Sequence, residues 1–153
     1  MLDDRDRRLL ALLQENAEMS VNDMAETVAL SVSACWRRIK RLGDEGCIRR
    51  RVAVLDRRKM NVPTTIFVLI RTSDHSTEWT DRFRRAVADI PEITETYRLT
   101  GNIDYLLKIV LPDVEHWDMI YNRLVTRLNF FDVSSYISME EMKATGVIPT
   151  SYI

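Results

Sequence analysis

The chain has 153 residues, of which 46% are hydrophobic and 29% charged, with a formal net charge of −1. These values are typical of one ordinary folded domain or two small ones, and they exclude a disordered chain. No apolar run approaches the roughly 18 residues of a membrane span, and the charged N-terminal segment is unlike a signal peptide. The two cysteines, Cys35 and Cys47, are too few for a disulfide framework. We therefore expect a reduced, cytoplasmic protein.

The charge is distributed unevenly along the chain. Residues 31–60 contain ten Lys or Arg and three Asp or Glu, a net charge of +7, whereas residues 61–153 carry a net charge of −4. A solvated surface face is the ordinary explanation of such a basic segment, but this one coincides with a recognisable motif. A basic segment joined to an acidic half predicts one module that binds a polyanion and a second module that does not.

The N-terminal part predicts three short helices. The first has Asp3 or Asp4 as its N-terminal cap, followed by leucines at helical spacing. A second helix of about two turns begins after Ser20, and a turn at Ala29–Leu30 leads to a third helix that Ser31 caps. This arrangement is typical of a helix-turn-helix, in which the last helix enters the major groove of DNA.

The third helix has an apolar stripe and a basic face. The residues predicted to pack inward are Val32, Cys35, Trp36, Ile39 and Leu42. The small polar residues and arginines between them then face outward, where they suit contacts with base edges and phosphates. A strand over Cys47–Leu55, basic at its start, is predicted as a wing that adds salt-dependent affinity. The predicted DNA-binding residues are Ser31, Ser33, Ala34, Arg37, Arg38, Arg41, Arg49, Arg50 and Arg51.

The second half predicts a βαββαβ order after a polar linker at residues 56–63. Its strands are predicted at Thr64–Thr72, Ile93–Leu99, Ile103–Leu111 and Phe131–Met139, and its helices at Ser76–Ile90 and after Asp113. This is the ferredoxin-like arrangement, with both helices on one face of an antiparallel sheet. The strands are too apolar for the other face to stay exposed, which predicts a dimer formed sheet to sheet. The expected fold class is therefore α+β, with domains at residues 1–55 and 64–153.

Three motifs are more specific than these patterns. They are L-D-x-x-D-R-x-x-L near the start, A-x-x-V-x-L-S-x-S-x-C-W-R-R-I-K-R-L-x-x-E-G-x-I, and L-T-G-N-I-D-Y-L-L-K at residues 99–108. Together they resemble the leucine-responsive regulatory protein/AsnC (Lrp/AsnC) family of bacterial and archaeal transcription regulators. The resemblance implies an N-terminal winged helix-turn-helix and a C-terminal ligand-sensing domain. Ala29 departs from the pattern, since many helix-turn-helix proteins have Gly there. H-S-T-E-W at residues 75–79, with M-E-E-M-K and Ile148–Pro149, is similar to a subgroup that responds to cysteine.

The resemblance also implies an amino-acid effector bound at the turn within residues 99–108, in a cleft between neighbouring dimers. Asp104 would accept from the ammonium, and the backbone at Gly101–Asn102 would approach the carboxylate closely. Asn102 is neutral where family members often carry a charge, and a turn-stabilising carboxylate is the alternative role for Asp104. The predicted effector-binding residues are Thr100, Gly101, Asn102, Asp104, Ser134, Ser135 and Tyr136.

No catalytic or metal-ligating pattern is present in the sequence. His75 and His116 lie far apart and read as lone surface histidines. We find no Ser/His/Asp or Cys/His set and no glycine-rich phosphate loop, so we predict no enzyme, no cofactor and no metal. The sequence predicts a DNA-binding transcription regulator that forms a dimer, tetramer or octamer and responds to an amino acid. The alternative is an amino-acid-binding subunit that modulates an enzyme without binding DNA, and the basic segment argues against it.

Overall fold

The computed structural model describes residues 2–152, which divide into two compact units. The first unit contains the residues up to Val54 together with those from Lys143 onward, and the second extends from Leu55 to Met142. The residues after 142 are predicted to belong to the second domain, whereas they group with the first unit.

The side chain of Gln14 connects the residues after 142 to the first unit. Its Nε2 donates to the carbonyl of Ile148 at 3.0 Å, and its Oε1 accepts the N–H of Ile148 at 2.9 Å. One side-chain amide therefore satisfies both backbone groups of a residue 134 positions away.

The first unit contains three helices: α1 at Asp4–Glu15, α2 at Val21–Thr27 and α3 at Val32–Asp44. Each begins after a short polar side chain, Asp3, Ser20 or Ser31, that accepts the backbone N–H three residues further on. The predicted helices and their caps are confirmed. Their apolar faces form one core, whose most buried members are Leu9, Met24, Ala25, Val28, Cys35 and Leu42.

The turn between α2 and α3 passes through the left-handed region. Ala29 has φ 53°, a conformation that favours glycine because it brings Cβ close to the following carbonyl oxygen. The N–H of Leu30 donates to the carbonyl of Ala25 at 2.9 Å and holds the turn closed. The turn predicted at Ala29–Leu30 is therefore confirmed, and its alanine is the residue that departs from the glycine pattern.

The strand predicted over Cys47–Leu55 does not form. Residues 47–55 have neither helix nor strand, and Ile48 packs partly against the first core. Within residues 2–152 the first unit holds no strand with which this segment could pair, and a strand without a ladder of backbone hydrogen bonds is not stable in water. The segment is thus an irregular, exposed extension of the helix-turn-helix.

The second unit is a four-stranded antiparallel sheet with two helices. Its elements are β1 at Thr64–Arg71, α4 at Thr77–Ala88, β2 at Ile93–Arg98, β3 at Tyr105–Leu111, α5 at His116–Val125 and β4 at Asp132–Ile137. The strand order β2-β3-β1-β4 is the predicted ferredoxin-like arrangement. Ser76 caps α4 by accepting the N–H of Trp79 at 3.1 Å. Helix α5 lacks a cap at its N-cap residue, although Asp113 accepts the N–H of His116 at 3.1 Å.

The two faces of this sheet differ in burial. Along β3, Tyr105, Leu107, Ile109 and Leu111 are buried against the helices, while the alternate residues are half-buried. Phe83 and Trp79 of α4 stack on each other in this core, with ring centroids 5.2 Å apart. The opposite face carries half-buried apolar side chains, Phe67, Leu69, Leu106 and Val110. We call these four residues the open sheet face.

Candidate functional sites

Helix α3 has one face in the first core and another in solvent. Cys35, Ile39 and Leu42 are buried, and their spacing of four and three residues defines the inward stripe. The exposed side chains on the other side are Val32, Ser33, Trp36, Arg37 and Lys40. We call these five residues the outward face of α3.

The prediction that Trp36 and Val32 pack inward is wrong. Trp36 is 53% exposed and Val32 is 49% exposed. The reason is geometric, because Trp36 directly follows a residue of the inward stripe and is therefore turned about 100° away from it. Lys40 Nζ lies 5.6 Å from the centroid of the Trp36 ring. Apolar spacing alone does not show that Trp36 is exposed, because the three residues Cys35, Ile39 and Leu42 are enough to form the buried stripe of α3.

Two arginines of α3 are bound to carboxylates of α1. Arg38 Nη1 donates to Asp3 Oδ2 at 2.6 Å and to Asp6 Oδ1 at 2.9 Å, and Arg41 Nη2 donates to Asp6 Oδ2 at 2.6 Å. Asp6 is 1% exposed and also accepts the N–H of Asp3 at 3.2 Å. Both oxygens of a buried carboxylate are therefore used by charge-assisted hydrogen bonds. We call Asp3, Asp6, Arg38 and Arg41 the α1–α3 clamp.

The clamp keeps Asp6 charged. Burial raises the pKa of Asp6, but the hydrogen bonds from Arg41, from the N–H of Asp3 and from Arg38 outweigh it, and the pKa lies below its ordinary value of 3.8. The Arg38 and Arg41 side chains retain exposures of 27% and 39%. These two predicted DNA-binding arginines thus have partners within the chain. Sequence reasoning missed these partners, although the two carboxylates spaced three apart in L-D-x-x-D-R signal them.

The remaining predicted DNA-binding residues have different surroundings. Ser31 Oγ accepts the N–H of Ala34 at 3.3 Å and lies 3.3 Å from Ser33 Oγ, so Ser31 serves as the helix cap. Ser33 and Arg37 are exposed, whereas Ala34 is half-buried. Arg49–Arg51 are exposed on the irregular segment after α3. The exposed members of the predicted set are therefore Ser31 at the helix cap, two residues on the helix and three after it.

The second candidate site is the turn between β2 and β3. The N–H of Leu99 donates to the carbonyl of Asp104 at 2.8 Å and closes the turn. Gly101 has φ 109°, a conformation that requires glycine here. Thr100, Gly101 and Asn102 are all exposed, so the backbone at this turn is open to solvent.

Asp104 connects this turn to the loop after β1. Its Oδ2 accepts the N–H of Thr72 at 2.8 Å, and its backbone N–H donates to the carbonyl of Ile70 at 3.0 Å. Its Oδ1 lies 3.9 Å from His75 Nδ1 and has no hydrogen bond among the described residues. Asp104 therefore has turn-stabilising contacts on one oxygen and an unused acceptor on the other.

The three residues predicted on β4 lie away from this turn. Ser135 pairs with Val68, which faces the helices, so Ser134 and Tyr136 lie on the opposite face. β4 and β2 are the two edge strands of the sheet, separated by β3 and β1. No hydrogen bond joins Ser134–Tyr136 to the β2–β3 turn within the part of the chain that the structure describes. One protomer does not assemble the whole predicted effector set.

The described residues offer no metal site and no membrane span. Between residues 2 and 152, no group of three or more His, Cys, Asp or Glu side chains is placed to hold a metal ion. His116 Nδ1 lies 2.8 Å from Asp113 Oδ1 and lowers the pKa of that carboxyl, which is a local contact at the start of α5. None of the described helices is long and apolar enough to cross a membrane.

The two halves of the chain match two protein families. The winged helix-turn-helix DNA-binding family matches residues 2–49, and the Lrp/AsnC ligand-binding domain matches residues 65–148. The chain is 53% identical to the HTH-type transcriptional regulator Zrp of Zymomonas mobilis over 100% of both proteins. It also resembles the crystal structure of an AsnC family transcriptional regulator from Agrobacterium tumefaciens, with a TM-score of 0.95, 45% identity and 99% of each chain covered. A transcriptional regulator from Neisseria meningitidis, solved as an L-Met complex, has a TM-score of 0.93 and 29% identity over 99% of each chain.

Proposed function

This chain belongs to the Lrp/AsnC family of transcriptional regulators, and we propose that it reads duplex DNA with the outward face of α3. The observation that carries this assignment is the exposure of Ser33 and Arg37 on α3 while the opposite face of the same helix is buried. Small polar residues near the start of a recognition helix reach base edges, and the cation beyond them reaches phosphates. A regulator of bacterial or archaeal genes acts on DNA in the cytoplasm, and we propose that location.

The predicted DNA-binding arginines divide into two groups in this proposal. Arg37 and Arg49–Arg51 contact DNA, because they are exposed and have no ion pair among the described residues. Arg38 and Arg41 hold α3 against α1 through the clamp, because their hydrogen bonds go to Asp3 and Asp6. The first group sets the salt dependence of binding, and the second group sets the position of the recognition helix.

The test is a salt titration of duplex binding. The ligand is a duplex that the wild-type protein enriches from a random-sequence library. The slope of log K against log salt is negative, and each phosphate contact adds about 0.9 to its magnitude. Arg37→Ala should weaken binding and lower the magnitude of the slope by about one per contact. Arg84→Ala is the matched control, since Arg84 is 72% exposed on α4 of the second unit. Unchanged affinity and slope in Arg37→Ala would contradict the assignment of α3.

We further propose that an amino acid binds at the β2–β3 turn and changes how copies of the regulator present their recognition helices. Asp104 Oδ1 accepts from the ammonium, and the open backbone at Gly101 receives the carboxylate. The L-Met complex of the related regulator supports an amino acid as the class of ligand. The resemblance of residues 75–79, M-E-E-M-K and Ile148–Pro149 to a subgroup that responds to cysteine implies cysteine in particular, and this stays a prediction. Since Ser134–Tyr136 lie two strands from the turn, they belong to the site only if a second copy supplies them.

Asp104→Asn tests this site with little change of shape. The amide oxygen still accepts the N–H of Thr72, while the NH₂ group replaces the acceptor that faces the ammonium. A hydrogen bond to a charged group contributes about 1.5–3 kcal/mol, so the amino acid should bind roughly 10- to 100-fold more weakly. Calorimetric titration with each free amino acid supplies the measurement, and Asp118→Asn, an exposed carboxylate on α5, is the control. The absence of binding by every amino acid would contradict the sensor role, whereas unchanged affinity in Asp104→Asn would contradict only the site.

The open sheet face is proposed as the dimer interface. Its four apolar side chains are half-buried in one protomer and would become fully buried against a second copy of the same sheet. Leu69→Glu places a charge in the middle of this surface and should convert the dimer to a monomer. Light scattering after size-exclusion chromatography measures the mass. A Leu69→Glu protein of unchanged mass would place the interface elsewhere.

A further inference from the structure

The outward face of α3 carries a large apolar surface between its polar side chains. Trp36 is 53% exposed, and Val32, one turn earlier on the same side, is 49% exposed. Burial of an indole ring is strongly favourable, so an isolated protomer leaves a substantial stabilisation unused at this position. Trp36 and Val32 therefore form an apolar strip on the surface that the proposed function directs toward DNA.

The charges around this strip indicate its occupant. Arg37 follows Trp36 directly, and Lys40 lies one turn further with its Nζ 5.6 Å from the ring centroid. Neither Arg37 nor Lys40 has an ion pair among residues 2–152, in contrast to Arg38 and Arg41 on the neighbouring side of the same helix. A protein partner with an apolar surface would have to desolvate two unpaired cations, whereas a duplex pairs them with phosphates. The occupant that fits is duplex DNA.

We infer that Trp36 is a specificity-determining residue whose indole contacts the C5-methyl group of a thymine in the major groove. The inference rests on the proposed binding of DNA by the outward face of α3. The methyl group of thymine is the apolar feature that a base pair presents in the major groove, and apolar side chains recognise it there. Trp36 lies one turn after Ser33, within the first half of α3, which is the part of a recognition helix that contacts bases. Arg37 and Lys40 then flank the ring at the phosphates.

Replacing thymine by deoxyuridine removes this methyl group and leaves all hydrogen-bonding groups of the base unchanged. In the duplex enriched from the random library, each thymine is replaced in turn, and the dissociation constant is measured for each substituted duplex. Wild-type protein should bind roughly three- to fivefold more weakly when the methyl opposite Trp36 is removed, which corresponds to the burial of one methyl group. Trp36→Ala should bind the unmodified duplex more weakly and should be insensitive to uracil at that position. Met119→Ala, which removes an apolar side chain that is 50% exposed on α5, should retain the wild-type pattern.

A fluorescence measurement keeps the inference testable independently of affinity. Of the three tryptophans, Trp79 is buried and Trp117 is half-buried in the second unit, so Trp36 is the most exposed to acrylamide. If DNA covers Trp36, a saturating concentration of duplex should reduce the quenching of its fluorescence by acrylamide. Trp36→Phe should lack that fluorescence, and because Trp36 is exposed this variant should keep the wild-type thermal midpoint.

The outcomes separate the inference from the proposed function. If the wild-type protein retards no duplex at low salt, the proposed function fails. If it binds DNA but no thymine is sensitive to uracil, or if Trp36→Ala keeps the same sensitive position, the methyl contact is overturned. Acrylamide quenching that saturating duplex does not reduce would also overturn it. Should Trp36→Ala fail to fold, Trp36→Gln, which replaces the ring by a polar amide, undergoes the same uracil scan, in which an unchanged profile and an unchanged affinity overturn the inference.

Discussion

Replacing Asp6 by Asn removes the negative charge of the α1–α3 clamp without changing its size. Asp6 is 1% exposed and accepts hydrogen bonds from Arg38 and Arg41, and the amide retains only one acceptor oxygen for them. Breaking a buried ion pair by removing one partner costs about 3–5 kcal/mol. Both guanidinium groups are partly exposed and regain water, so we expect Asp6→Asn to lower the free energy of unfolding of the first unit by about 2–3 kcal/mol.

Native-state hydrogen exchange can localise this effect. Peptides from α1 and α3 should exchange roughly 30- to 150-fold faster in Asp6→Asn wherever exchange proceeds through unfolding of the first unit. Peptides from α4 serve as the internal reference, because α4 belongs to the second unit. The same variant should bind the enriched duplex more weakly, since α3 then loses part of its attachment to α1.

Asp4→Asn supplies the matched control on the same helix. Asp4 is 91% exposed, and its contact is a single bond of 3.3 Å with Arg7. Exposed pairs of this kind contribute little, so exchange from α3 should change by less than about twofold. If Asp4→Asn and Asp6→Asn accelerate exchange equally, the clamp does not stabilise the first unit and the reasoning from burial is refuted.

Two further predictions concern the same unit. The folded-state pKa of Asp6 lies below its ordinary value of 3.8, so its contribution to stability is complete above that value and is lost as the pH falls through the folded pKa. Urea titrations at decreasing pH should therefore show a steeper loss of stability in the wild-type protein than in Asp6→Asn, and parallel curves would contradict this assignment. Ala29→Gly should raise the free energy of unfolding by about 0.5–1 kcal/mol, because Ala29 has φ 53°. The urea midpoint should rise accordingly. A lower midpoint would mean that the turn does not carry that strain.

Much of the fold follows from local patterns and was predictable for that reason. Ser20 and Ser31 each precede an amphipathic run, and each caps the helix that follows it. The β-strands were predicted to within a few residues, since alternation and apolar runs are properties of consecutive positions. The strand over Cys47–Leu55 was predicted on the same grounds and is absent. A strand needs a partner, and local sequence does not contain that information.

The candidate sites show the same limit. Sequence spacing places a residue at an angle around its helix, and it predicted that Arg37 faces outward. It did not reveal that Asp3 and Asp6 accept hydrogen bonds from Arg38 and Arg41. These partners lie 32 or 35 positions apart along the chain. At the β2–β3 turn, the glycine and the carboxylate were recognised, whereas the contact between Asp104 and Thr72 spans 32 positions and was not.

The sequence by itself determined a helix-turn-helix with a basic third helix, a βαββαβ half and membership of the Lrp/AsnC family. These features are encoded in caps, periodicity and short motifs, which depend on neighbours in the chain. The tertiary structure decided which basic residues have no ion pair among residues 2–152, and that Trp36 is exposed among them. The physical reason is that a charge or an indole acquires its role from the groups that surround it in space. Those groups meet only when α1 packs against α3.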